Sequence, residues 1–208
     1  MGADHPYMVG VKYATLTDKK LEASIFYPID KTTEVEWSNR KKLNKKALWT
    51  EDELRTYRTY GKALKEAMLG FEPPECIVRF YATRKLPALE NADIARRFHL
   101  EGDKIRPMIF SHGLSASKVF YSALYHKMAA NGYLVIALNH QDGTCFFTID
   151  QNGKDLCYQK DVFEKKELRE KQIKIRAEEV IKVIEELRGQ ENGTSTELFG
   201  KEVRLDMD

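Results

Sequence analysis

The chain has 208 residues, 42% hydrophobic and 32% charged, enough apolar mass for one ordinary domain with its own core. Its 34 basic and 32 acidic residues leave a net charge of +2, so no strong field recruits nucleic acid or an acidic membrane. The three cysteines (Cys76, Cys145 and Cys157) form no C-x-x-C pair, which fits a reducing compartment and gives no disulfide framework.

At the start, MGADHPYMVG lacks the apolar core of a secretory signal, and Pro6 stands where a myristoylation motif wants Ser or Thr. No run reaches the length of a membrane span, so the expected location is the cytoplasm. VGVKYATL and ASIFYP read as two short strands, the second stopping at Pro28. Residues 31–48 are polar and lysine-rich and read as a surface connection. Thr50 and Glu53 fit a capping box, and Leu54, Tyr57, Gly61, Leu64 and Met68 follow at helical spacing. Gly70 and the Pro73-Pro74 pair end that helix. Between 75 and 104 the pattern suggests one short helix over 91–98 and then a loop at 101–103.

From Pro107 the signal sharpens. MIF is a short apolar strand, SKVFYSALYHKMAA has helical character, and Asn131-Gly132 is a helix stop. LVIAL, residues 134–138, is apolar without alternation, as a strand covered on both faces should be. Strand, helix and strand over 105–140 make a β-α-β unit. A long helix follows, over roughly 162–188 (160–189 with its approach), with Ile173, Ala177, Val180, Ile184 and Leu187 as its apolar stripe. Asn192-Gly193-Thr194 matches a glycosylation sequon, which carries little weight without a secretory signal.

The turn after MIF, in PMIFSHGLSAS, is the place to look for chemistry. Ser115 in G-L-S-A-S satisfies the small-x-Ser-x-small steric rule of a nucleophile elbow. An α/β-hydrolase serine, however, must be followed by an acid and then a histidine. Only His126 and His140 follow Ser115, and no Asp or Glu lies between Ser115 and His140. The order cannot be assembled, and the residues single out no triad in another order. Ser115 reads instead as a helix-start residue. A glycine turn after a strand has a second use, which is to aim backbone amides at a developing negative charge. His112-Gly113-Leu114 lies between strand and helix, where such a loop belongs, and the amide of Leu114 would face the reacting carbonyl. A plain turn needing glycine fits the same residues. His140 and Asp142, in the turn after LVIAL, read as structural groups bonded to each other or to the loop.

The run FSHGLSASKVFYSALYHKMAANGYLVIALNHQDGT resembles the corresponding block of the platelet-activating factor acetylhydrolases. That family shows F-S-H-G-L-G-A, a Y-S-A helix, a glycine stop, an apolar strand and then H-R-D. YMVGVKYATLTD with ASIFYP resembles its first strands, and KQIKIRAEEVIKVIEEL resembles its long helix. LFGKEVRLDMD resembles the segment before its G-H-S-F-G-G elbow. The resemblance implies an incomplete α/β-hydrolase fold, a mostly parallel sheet flanked by helices that ends before the nucleophile elbow. Residues 1–208 would be the amino-terminal portion of one domain, with 31–104 a polar connection and helical insert.

It further implies a calcium-independent serine esterase, without cofactor or metal, that removes acetyl or short acyl groups from a choline phospholipid. Of its machinery only the Leu114 amide carries over. The nucleophile, acid and base fall past Asp208 in a missing carboxyl-terminal half, so the chain alone is expected to be inactive. By position, the 50–69 helix matches the family's lipid-facing element, implying peripheral membrane contact, although its own residues read better as core packing. A non-catalytic α/β binding module is the competing reading.

Overall fold

β-branched and aromatic residues recur along the first two strands, and the strands form a hairpin. β1 (Met8–Leu16) and β2 (Leu21–Ile29) pair antiparallel from Met8↔Ile29 to Leu16↔Leu21. The computed structural model describes residues 5–31, 46–48, 61, 63–65, 74–82, 84–159, 165–189, 199 and 202–207. Pro28 lies inside β2 and does not end it. β2 pairs with its other neighbour only over Ala23–Phe26, so the missing proline amide falls where no ladder bond is needed. Gly10 is required by close packing, because a Cβ there would meet the Tyr27 ring at 2.4 Å.

Two strands lie where the sequence suggests only connection and helix. β3 (Lys46–Leu48) falls in the lysine-rich 31–48 stretch. α1 (Glu75–Ala82) then leads into β4 (Lys85–Glu90). β4 pairs with β3 antiparallel and with β1 parallel, and Asn91, at φ 54°, turns the chain out with its amide on the Val11 carbonyl. Lysine and proline in KLPALE mask the pattern, and burial of Ala88 and Leu89 against β1 overrides weak local propensity. The helix expected over 91–98 shrinks to α2 (Arg96–His99). Most of the helix expected over 50–69 lies outside the described residues, as do the capping box and Asn192. Ala63 is described and buried, packing with Phe146 and Phe147.

The second half follows the expected order. β5 (Lys104–Ser111) leads through a bend to α3 (Ser122–Ala129) and back to β6 (Tyr133–Leu138). Gly132, at φ 97°, closes α3 with its amide on the Ala129 carbonyl. β7 (Phe147–Ile149) and β8 (Asp155–Cys157) form a separate ribbon, α4 (Lys166–Gly189) follows, and β9 (Arg204–Leu205) closes the described chain. The large sheet runs β3-β4-β1-β2-β6-β5-β9. It is mixed: antiparallel where the β1–β2 hairpin joins β6, and parallel through β6, β5 and β9.

β6 shows why an unbroken apolar run marks a sandwiched strand. Leu134, Ile136 and Leu138 enter the cluster that holds Val183 and Leu187 of α4. Val135 and Ala137 enter the opposite cluster, with Tyr125 and Ala129 of α3. The two helices therefore cover opposite faces. β9 reaches only Lys104 and Ile105, so the outer edge of β5 from Pro107 to Ser111 has no partner strand among the described residues. Among those residues no helix is long and apolar enough to cross a membrane.

Candidate functional site

β5 and β6 are parallel and in register up to Ser111↔Leu138, so the chain leaves both strands at the same edge of the sheet. The bend after β5 and the turn after β6 meet there, and the amino-terminal half of α4 lies across both. The bend is tightly held. The Ser115 amide donates to the Thr144 carbonyl at 2.9 Å and the Ala116 amide to the Gly113 carbonyl at 3.2 Å. Phe146 donates to the Ala116 carbonyl at 2.8 Å, and the Lys118 amide to Asn139 Oδ1 at 2.7 Å.

Leu114 is half-buried at the carboxyl end of β5, and its own amide has no hydrogen-bond partner among the described residues. Ser115 does not start a helix, since α3 begins at Ser122. Its φ of 56° puts it in the left-handed region, which costs a non-glycine residue about 1–2 kcal/mol. Glycine would adopt that backbone angle at little steric cost.

His112 is buried beneath the bend. Its Nδ1–H donates to the Gly113 carbonyl at 2.8 Å, and its Nε2 accepts the His140 amide at 3.2 Å. Accepting at Nε2 requires the neutral ring. Burial, the largest cause, pulls its pKa down to about 4, with the nearby His140 and Arg176 acting in the same direction. Geometry and electrostatics agree that His112 is a neutral strut.

His140 is fully buried. Nδ1 lies 2.7 Å from Glu179 Oε2, and Nε2 lies 2.8 Å from Ser111 Oγ. A carboxylate only accepts, so Nδ1 carries the proton, and in the neutral ring Nε2 receives the serine hydroxyl. Glu179, itself 1% exposed, takes the Gln141 amide on its other oxygen at 3.2 Å. His140 is therefore bonded to the end of β5 and to α4, and not to Asp142. Asp142 instead accepts the Thr144 amide and hydroxyl at 2.9 and 2.5 Å.

Arg176 ties the loops together. Its guanidinium donates to Asp142 Oδ2 at 3.3 Å, to the His112 carbonyl at 2.6 Å, and to the Thr144 hydroxyl. One turn earlier, Gln172 donates to the Asp142 carbonyl at 3.1 Å. A cleft of about 70 Å³ remains among Leu114, Asp142, Thr144, Gln172 and Arg176. Ligand sites usually enclose roughly 300–1,000 Å³, so this cleft by itself is too small for a whole substrate pocket. Among them, no group of three His, Cys, Asp or Glu side chains could hold a metal ion.

Ser111, Gln172, Arg176 and Glu179 are the residues that sequence reading overlooks. The buried stripe of α4 is Gln172, Glu179, Val183 and Leu187, with Arg176 half-buried in phase with them, and Ala177 and Ile173 of the expected stripe are exposed. Polar residues at steps of four and three, in phase with buried Val183 and Leu187, are the signal that could have found them.

Comparison with known proteins places the chain. The family model described as platelet-activating factor acetylhydrolase, isoform II, matches residues 3–207. A platelet-activating factor acetylhydrolase from Gallus gallus is 30% identical over 151 residues, which cover 64% of this chain and 32% of that protein. One from Bos taurus is 32% identical over 80 residues, 37% of this chain and 17% of the relative. The chain thus spans about a third or less of the curated relatives it matches. A solved ferulic acid esterase from Streptomyces cinnamoneus superposes with a TM-score of 0.58 at 17% identity, covering 99% of this chain and 51% of the other. That likeness supports the α/β-hydrolase-like fold. With all but its extreme residues inside the family's pattern, the chain belongs to the platelet-activating factor acetylhydrolase, isoform II family.

Proposed function

We propose that residues 1–208 supply the oxyanion-loop half of a calcium-independent serine esterase acting on phospholipids with acetyl or short acyl groups. The observation that carries this reading is the unpartnered Leu114 amide at the carboxyl end of β5, inside a bend whose next two amides are both occupied. In such a reaction a serine attacks the ester carbonyl, and charge builds on the carbonyl oxygen. Leu114 N–H is one of two donors that hold this oxygen, and losing one such donor commonly costs about 10²–10³ in rate. His112 and Arg176 keep the bend from relaxing, so the amide stays aimed without reorganisation.

The nucleophile, acid and base belong to polypeptide that pairs with the open edge of β5 from Pro107 to Ser111. The domain is single, with 105–140 carrying the oxyanion loop and 160–189 its bracing helix. The whole enzyme works in the cytoplasm without a cofactor and meets its lipid at a membrane surface through peripheral contact. An uncovered parallel-sheet edge argues against a free-standing binding module, because such edges associate.

The purified chain is expected to show no turnover of a 2-acetyl choline phospholipid. Turnover abolished by a serine-reactive phosphonate would contradict the proposal. Fused to the carboxyl-terminal part of the Gallus gallus relative, the chain should hydrolyse that lipid. Leu114→Pro, which deletes the amide hydrogen, should then lower kcat by about 10²–10³ with little change in KM.

A further inference from the structure

We propose that Ser111 is an activated acyl acceptor, able to take one acyl or phosphonyl group from a donor whose leaving group departs as a stable anion. The observation is the line Ser111 Oγ, His140 Nε2, His140 Nδ1, Glu179 Oε2, joined at 2.8 Å and 2.7 Å across the ring. Among the described residues no other serine oxygen meets an imidazole; Ser117 Oγ, for example, is buried without a partner. Ser111 itself is exposed at the open end of β5, while His140 and Glu179 behind it are dry. Chain order hides the arrangement, since serine, histidine and acid follow in a sequence that α/β-hydrolase triads do not use.

The reaction balances without any further reagent. Ser111 Oγ attacks the donor's carbonyl carbon, and its proton moves to His140 Nε2. The resulting imidazolium is held by the Glu179 carboxylate, whose second oxygen stays fixed by the Gln141 amide. The tetrahedral intermediate collapses, the acyl–oxygen bond to Ser111 remains, and a phenolate or thiolate leaves with its electron pair.

The same burial sets the limit. A glycerol alkoxide needs a proton as it leaves, and the 0%-exposed ring of His140 cannot reach a departing group beyond Ser111. Nor can water approach Nε2 to cleave the acyl-serine. The site therefore accepts once and does not turn over, and ordinary phospholipid esters are not donors. This inference stands on described residues alone and holds whether or not Leu114 serves as an oxyanion donor.

The test is p-nitrophenyl acetate, and in parallel a fluorophosphonate, added to the intact chain and read by peptide mass spectrometry and nitrophenolate release. The expected result is one group per chain on the peptide holding Ser111, released far more slowly than it is added. Ser111→Ala should lose that label. In Glu179→Gln the amide can donate to Nδ1, moving the ring proton to Nε2 and removing the acceptor for the serine hydroxyl. Labelling should then slow by about 10² or more, the range of a positioned general base. Label confined to lysines, label at the native level in Ser111→Ala, or equal rates in Glu179→Gln would each overturn the proposal.

Discussion

Glu179→Ala is expected to destabilise the chain by about 3–5 kcal/mol, the cost of removing one partner from a buried polar pair. Glu179 and His140 are 1% and 0% exposed, so bulk water does not reach the pair. His140 Nδ1–H and the Gln141 amide would both be left without acceptors, and each orphaned buried donor costs about 1–3 kcal/mol. A domain of this size has about 5–15 kcal/mol in total, so the variant should sit near the edge of folding. Urea unfolding should show a lower midpoint at an unchanged slope. Glu179→Gln retains the volume and an acceptor for Gln141, and should cost far less. If alanine and glutamine behaved alike, the buried pair would not be what matters at this position.

The second large effect is with pH. His112 is neutral in the fold, with its pKa lowered from 6.5 to about 4, first by burial and then by the neighbouring His140 and the Arg176 guanidinium; Asp142 and the Gly113 carbonyl pull the other way. The unfolded chain therefore binds a proton first as pH falls. The stability His112 contributes is fully present above pH 6.5 and is lost on the way down towards 4. At about 1.4 kcal/mol per pH unit, the loss approaches roughly 3 kcal/mol. His126, whose pKa is also lowered by burial, adds in the same direction. Unfolding free energies measured from pH 7 to 4 should fall along this course. In His112→Gln the slope should flatten.

Sequence revealed the elements whose local chemistry and burial agree. β1, β2 up to Pro28, β5, β6 and the Gly132 stop were visible, because apolar runs and a positive-φ glycine leave direct marks. β3 and β4 were not, because their lysines and Pro87 depress strand propensity while Ala88 and Leu89 are fixed only by contact with distant β1. The bend at His112-Gly113-Leu114 was legible from its glycine and its place after a strand. The brace beneath it was not. A pattern search counts Gln172, Arg176 and Glu179 as solvent-facing, yet each is drawn inward by a carbonyl, carboxylate or imidazole supplied from elsewhere in the chain. Buried polar groups follow partners that lie far away in sequence, and periodicity has no means of reporting them.

Residue-resolved amide hydrogen exchange across the bend tests the central claim most directly. Ser115 and Ala116 should be protected by their bonds to the Thr144 and Gly113 carbonyls, while Leu114 between Gly113 and Ser115 should exchange at close to the free-peptide rate. A Leu114 amide as slow as its two successors would mean that its hydrogen is already taken, and it could not then be offered to a substrate oxygen.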